Sequence, residues 1–316
     1  MADNGANDTD ELIEKIEKRL NSTYKTAEKE MSAKLKGFLK DYDAQNKKYL
    51  ADLKAGKITQ ETYDKWLGTK AFQRKWLENM VNQLATDATL TDVKAMSIVK
   101  GFMPEAYALN HNFGVFQIEA GAKIDTSFTL VDPHTIENLV KNRPRLLPEP
   151  SPDIPKELRW HKQKITNAIT QGILQGESIP KIATRLENVT DMDRTAAIRN
   201  ARTAMTGAQN AGRVEGYKYA ESLGIEVEQE WLATLDNRTR DSHRLLDGER
   251  RKVGEKFSNG CRYPADPAGA PEEVYNCRCT LVPAIKGVDQ SNAPRNSKLG
   301  EMSYEEWKRG KAENMG

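Results

Sequence analysis

The chain has 316 residues, 38% hydrophobic and 30% charged, a balance that suits a soluble protein with long exposed helices better than one large compact core. Its 48 basic and 46 acidic residues leave a net charge of +2, so no global field draws it to nucleic acid and any basic surface must be local. No apolar run approaches the roughly 18 residues of a membrane span, and the N-terminus lacks the basic and apolar regions of a signal peptide. The three cysteines, two of them one residue apart, read as free thiols of a chain made in reducing cytosol rather than as a disulfide framework.

Ile13, Ile16, Leu20, Tyr24, Ala27, Met31, Leu35, Phe38 and Tyr42 recur in steps of three and four, which predicts one amphipathic helix from Leu12 to about Tyr42. Its apolar stripe is expected to pack on the chain's own next helices rather than serve a dedicated interface. Gly56 breaks the pattern, and Thr59 is placed to cap a second helix through Tyr63, Trp66, Trp76 and Met80. A third helix is expected from Asp92 to Phe102, stopping near Pro104, and Tyr107 to Leu130 reads as loop with short extended pieces. Five prolines between Arg143 and Pro155 point to an extended linker. The resulting division is an N-terminal helical domain (1–142), a proline-rich linker (143–156), a C-terminal domain (157–285) and a polar tail (286–316).

Three helices should follow the linker. The first covers Lys162 to Leu174, the second is capped by Ser178, and the third runs from Asp193 to about Ser222 behind a Thr190/Asp193 capping box. Ala201, Met205, Ala208 and Gly212 form a stripe of small residues that suits close helix packing. Ile225, Val227, Gln229 and Trp231 alternate with glutamates, the period of a half-exposed strand, and Cys279 to Val282 is its expected partner, ended by Pro283. The tail is expected to be loose apart from a short helix opened by Ser303 and Glu306. The fold class read from this pattern is α+β and predominantly α: an extended N-terminal helical region, then a compact helical domain with a small antiparallel sheet and long ordered loops.

The block from Trp231 to Cys279 gathers the reactive residue types. His243, Cys277 and Cys279 are zinc-type donors, which would make zinc the one cofactor in question. The single-residue spacer between the cysteines is unusual for a metal pair, and favours two small buried residues with Arg278 facing the other way. A Cys–His nucleophile pair oriented by Asp236, Asp241 or Asn276 is the enzymatic reading, without the local signature of any known cysteine hydrolase. Asp236, Arg238, Arg240, Asp241 and Arg244 interleave acids with bases, the pattern of a polar network fixing a long loop rather than of a phosphate site. Basic character is clearer on the third helix, where Arg194, Arg199, Arg202, Arg213 and Lys218 face one acid, Glu215. That face offers a contact for DNA phosphates, without sequence specificity, or for a protein partner.

The C-terminal half resembles the phage Mu F-like head morphogenesis family. The likeness rests on Ala201-Arg202-Thr203, Trp231, Asp236 to Arg240, His243, Leu246-Asp247-Gly248, Phe257 to Gly260, Tyr263-Pro264, Asp266-Pro267 and Asn276 to Cys279. It covers Trp160 to Pro283. Pro104 to Asn110 also looks like minor capsid proteins of phages of Gram-positive hosts. The resemblance implies a minor head protein, present in few copies inside the virion head near the portal and made in the host cytoplasm. Implied partners are the portal protein and capsid or scaffolding proteins, with non-specific double-stranded DNA a further candidate. Trp231, Asp236, Arg238, Arg240, His243, Gly248, Pro264, Asp266, Asn276, Cys277, Arg278 and Cys279 are then expected to hold the fold, and no catalytic residue is expected. The resemblance implies appended enzymatic or toxin domains in some relatives; with roughly thirty polar residues after the block, none is expected here. Many relatives are apolar where Cys261 stands, so Cys261 need not share a role with the other cysteines. The rival expectation is a His/Cys-dependent enzyme acting on nucleic acid or protein.

Overall fold

The order of elements in the computed structural model, which describes residues 4–142, 153–288 and 297–313, is dominated by three very long helices. Helices α1 (Asn4–Lys54), α2 (Gln60–Ala71), α3 (Arg74–Ala122), α4 (Pro133–Asn142), α5 (Ile154–Leu174) and α6 (Ile179–Ser222) come first. They are followed by β1 (Ile225–Leu232), α7 (Asp241–Leu245), β2 (Arg250–Lys252), α8 (Pro271–Val274) and β3 (Thr280–Val288), then a 3-10 turn at Ser297–Gly300 and α9 (Tyr304–Glu313). The described chain is 72% helical with one antiparallel sheet, so it is α+β and predominantly α.

Two compact units emerge, one drawn from residues 1–17, 98–150 and 199–316, the other from 18–97 and 151–198. Neither is continuous in sequence, because α1, α3 and α6 each supply a segment to both. The expected linker lies outside the described residues as far as Pro152, while Pro155 falls in the first turn of α5, behind the Asp153 cap.

The unit of residues 18–97 and 151–198 is all helical. Met31, Leu35, Leu39 and Tyr42 of α1, Tyr63 and Leu67 of α2, Leu84 of α3, Ile165 and Ile169 of α5 and Leu186 of α6 share one apolar core. Thr59 does cap α2, accepting from the Thr62 N–H at 3.2 Å. The predicted second helix nevertheless breaks, since Phe72 closes α2 before Trp76 begins the next apolar run. The Thr190/Asp193 capping box is not used. Thr190 lies inside α6, where its hydroxyl donates to the Leu186 carbonyl one turn back.

In the other unit the largest correction concerns Tyr107 to Leu130, expected as loop. Helix α3 continues through Pro104 to Ala122 because tertiary burial outweighs local propensity. Met103, Ala106, Tyr107, Phe113, Phe116 and Ala120 are all buried, and Asn110 is satisfied by donating to the Ala106 carbonyl and Thr9. A Cβ at Gly212 would collide with the Tyr107 carbonyl and one at Gly216 with that of His111, so both glycines allow α6 to touch the α3 backbone.

The sheet order is β2-β1-β3. Trp231 pairs with Leu281 and Gln229 with Pro283, and β3 continues past Pro283 to Val288 because an edge strand tolerates a missing donor. Buried Gln229 donates to the Glu255 and Arg262 carbonyls, both at 2.9 Å, and accepts from the Gly254 N–H, tying the loops after β2 to the sheet. The tail is not loose where it is described. Leu299, Tyr304 and Trp307 join Phe113, Phe116 and Phe128 in a second core, and Lys311 reaches Glu119 and Asp125 at 3.1 and 2.8 Å. Ser303 and Glu306 do form the expected capping box.

Candidate functional site

Strand β1 drives Trp231 into the interior, where it is fully buried with its indole edge-on to both His243 and Phe257. The chain leaves β1 and turns at Asp236, whose carboxylate accepts from the Arg238 N–H and from both arms of Arg278, at 2.6 and 2.7 Å. The Arg278 fork, then the Arg238 N–H, hold this carboxyl well below the usual range. Asp236 therefore braces the loop and does not cap α7, whose N-cap is Arg240. The Arg240 guanidinium donates to the Tyr275 carbonyl and that of Arg244 to the Asp236 carbonyl, while the Arg238 side chain is exposed. Gly248 (φ +77) makes the left-handed turn that returns the chain to β1, donating to the Trp231 carbonyl at 2.8 Å.

Helix α7 carries His243 inward. Opposite it, Asn276 adopts a left-handed conformation (φ +57), and its N–H donates to Thr203 of α6. That bend sets the phase of the extended segment leading into β3. Cys277 and Cys279 therefore point inside while Arg278 points out to Asp236.

The two cysteines and His243, each 2% exposed, converge. His243 Nδ1 lies 3.4 Å from Cys279 Sγ and 3.8 Å from Cys277 Sγ. Ligand atoms around a tetrahedral zinc, with Zn–S about 2.3 Å and Zn–N about 2.0 Å, stand about 3.4–3.8 Å apart. The other ring nitrogen, Nε2, is 3.0 Å from the Glu273 carboxylate, though without hydrogen-bond alignment. Glu273 is in turn held by Ser242 and Asn259. A carboxylate behind a histidine keeps the proton on the far nitrogen and leaves the near one free to ligate. Electrostatics separates the two thiols. The Cys277 S–H donated to Cys279 lowers the Cys279 thiol against the cost of burial; the same hydrogen bond and burial raise Cys277. Two thiolates and a neutral imidazole would balance one zinc dication.

Cys261 is buried outside this trio, and burial pushes its thiol up to about 11. Pro264 is buried beside Asp266, and Asp266 takes both arms of Arg262 at 2.8 Å and two backbone N–H groups. In the enzymatic reading Asp236, Asp241 or Asn276 would orient the histidine; the structure brings Glu273 there instead. A carboxylate four residues before Cys277 has no periodic relation to His243, so only the fold reveals the pairing.

The basic residues of α6 do not form one face. Arg213 is fully buried, bonding Asn110 and the Leu281 carbonyl and lying over the Phe113 ring, so the expected DNA or portal contact is corrected for this residue. Arg194 pairs with Asp191, Arg202 with Glu17 and Lys218 with Glu215, and Arg199 covers the Tyr275 ring.

The arrangement defines a helix-rich domain whose C-terminal loops are closed by buried thiols, a histidine and Asp–Arg forks. Residues 163–282 match the family described as phage Mu protein F like, and the chain carries a domain of that family. It is similar to minor head protein GP7 of Bacillus phage SPP1, 24% identical over 96% of this chain and 94% of that one. This likeness sets it among phage head proteins. It is also similar to NAD(+)--arginine ADP-ribosyltransferase EFV of Enterococcus faecalis, 29% identical over 73% of this chain but only 48% of the enzyme's length. The uncharacterized protein YqbB of Bacillus subtilis is 26% identical over 88% of this chain and 92% of its own. No solved structure gives a significant match.

Proposed function

We propose that this protein is a minor head protein placed inside the phage head at the portal vertex, acting by binding rather than catalysis in head assembly and genome delivery. The observation that carries the reading is the end-to-end likeness to a minor head protein, over more than nine-tenths of both chains. The likeness to the ADP-ribosyltransferase spans about half of that enzyme and does not bring its activity here. Burial of His243, Cys277 and Cys279 supports a structural role for the trio, since a nucleophile must meet its substrate. In this reading the trio holds a zinc ion that closes the loops, a contribution a small three-stranded sheet needs. Around the same block Leu232, Leu235, Leu245 and Tyr275 are exposed, and they supply apolar surface for a protein partner. Contact with DNA is secondary, since Arg194, Arg202 and Lys218 are already paired with acids.

The test is co-expression with the portal protein of the same phage, followed by size-exclusion chromatography with light scattering at moderate salt. A complex of fixed stoichiometry is expected. Two folded proteins that elute separately at every ratio would overturn the portal placement.

A further inference from the structure

A second cluster of ligand-type side chains lies in the helical unit and shares no residue with the signature block. Asp92 of α3, His161 of α5 and Asp193 of α6 bring one ligand atom each to a common point. His161 is completely buried, and its Nε2 stands 3.1 Å from Asp193 Oδ2 and 3.4 Å from Asp92 Oδ2. Donors about 2.0–2.1 Å from a tetrahedral ion are separated by about 3.3 Å, so the two distances from His161 Nε2 fit a coordination shell as well as a hydrogen-bonded pair.

The hydrogen bonds around the cluster decide which ring nitrogen is available. The Thr89 hydroxyl, 2.8 Å from the Ala85 carbonyl, donates its one hydrogen there. The 2.9 Å contact between that hydroxyl and His161 Nδ1 must therefore run from the ring N–H to the oxygen. With a proton on Nδ1, Nε2 faces two carboxylate oxygens, and a positive charge, a proton or a cation, must lie between them. Tyr24 donates to the other oxygen of Asp92 at 2.7 Å and so turns Oδ2 toward the histidine.

Charge selects the occupant. Two carboxylates and a neutral imidazole carry two negative charges, which one divalent cation balances. The aspartate side chains keep 17% and 11% of their surface exposed, which gives an ion a way in.

We propose that Asp92, His161 and Asp193 form a binding site for a first-row divalent cation, zinc by preference over manganese, that ties α3, α5 and α6 together. Nitrogen and oxygen donors without sulfur suit such an ion. The site stands independently of the portal reading and of the thiol trio.

The experiment is titration of the full-length protein with zinc chloride, after exhaustive chelation, for the wild type, Asp193→Asn, His161→Gln and, as a counting control, Cys279→Ser. The wild type should bind one more zinc equivalent than Asp193→Asn or His161→Gln, or those variants should bind that equivalent at least roughly 100-fold more weakly. Cys279→Ser should retain it. Equal stoichiometry and affinity in wild type, Asp193→Asn and His161→Gln would overturn the proposal and leave the cluster as a protonated ion pair. Should the variants misfold, nitrogen-15 NMR of the wild type decides. A His161 Nε2 that bears no hydrogen and shifts on adding zinc supports the site; one that stays protonated and unmoved overturns it.

Discussion

In the helical unit, Leu35, Leu39 and Tyr42 of α1 meet Leu67, Ile165 and Ile169 across a continuous apolar core. In the signature block, Trp231 to Cys279, buried apolar side chains such as Trp231, Leu246 and Phe257 are joined by directed polar contacts. Its loops are held by the Asp236–Arg278 and Asp266–Arg262 forks, by Gln229 and by the convergence of His243 with two thiols. The contrast shows two ways of fixing backbone: non-directional burial where the period is helical, and directed polar contacts where there is no period. Directed contacts fail abruptly where a buried member such as Asp266 would be left unsatisfied.

Predictions follow from that contrast, in order of expected effect. Cys279→Ser should abolish the zinc binding proposed for the trio and destabilise the protein by on the order of 4 kcal/mol, read by denaturant unfolding with parallel metal analysis. Stability equal to wild type in that variant would break the contrast from the loop side. Leu35→Ala, in the apolar core, should cost about 3 kcal/mol through the cavity it leaves while the metal content stays unchanged. Loss of metal in Leu35→Ala would show that the two modes are not separable.

Asp266→Asn should cost about 2 kcal/mol near neutral pH. Burial pushes the Asp266 carboxyl up, but the Arg262 fork and the N–H groups of Arg262 and Ala268 outweigh it and leave it below the ordinary range. A depressed folded-state value means the stabilisation is complete above the unfolded carboxylate pKa and is lost as pH falls through the folded one. The gap between wild type and Asp266→Asn should therefore begin to close below the ordinary carboxylate value and vanish only below the depressed folded one, which unfolding curves carried from neutral pH into strong acid would reveal. A gap that persists there would remove the ion pair from the account. Smallest in stability is Leu245→Ser. Its side chain is 86% exposed, so the change should stay within about 0.5 kcal/mol of wild type while weakening the portal complex in light scattering.

Sequence made the periodic parts legible: the α1 stripe, the β1 alternation, the Ser303 capping box and the inward cysteines around an outward Arg278. It misplaced the region after Pro104, where Asn110, Asn112 and Gly114 look like loop residues. Partners distant in the chain support their helical state: Thr9 bonds Asn110, Val131 bonds Asn112, and Gly114 faces Tyr217. The same limit hid Glu273 behind His243 and the burial of Arg213. Polar residues read as surface until a fold supplies their counterparts.

The measurement that tests the central claim most directly is cobalt substitution of the purified full-length protein, followed by absorption spectroscopy and metal analysis before and after unfolding in chelator. The account predicts thiolate-to-cobalt charge-transfer absorption that disappears in Cys279→Ser, and a sulfur-bound ion that chelator removes only with unfolding. Cobalt-loaded protein with no thiolate band, and a metal-free protein as stable as the native one, would contradict it.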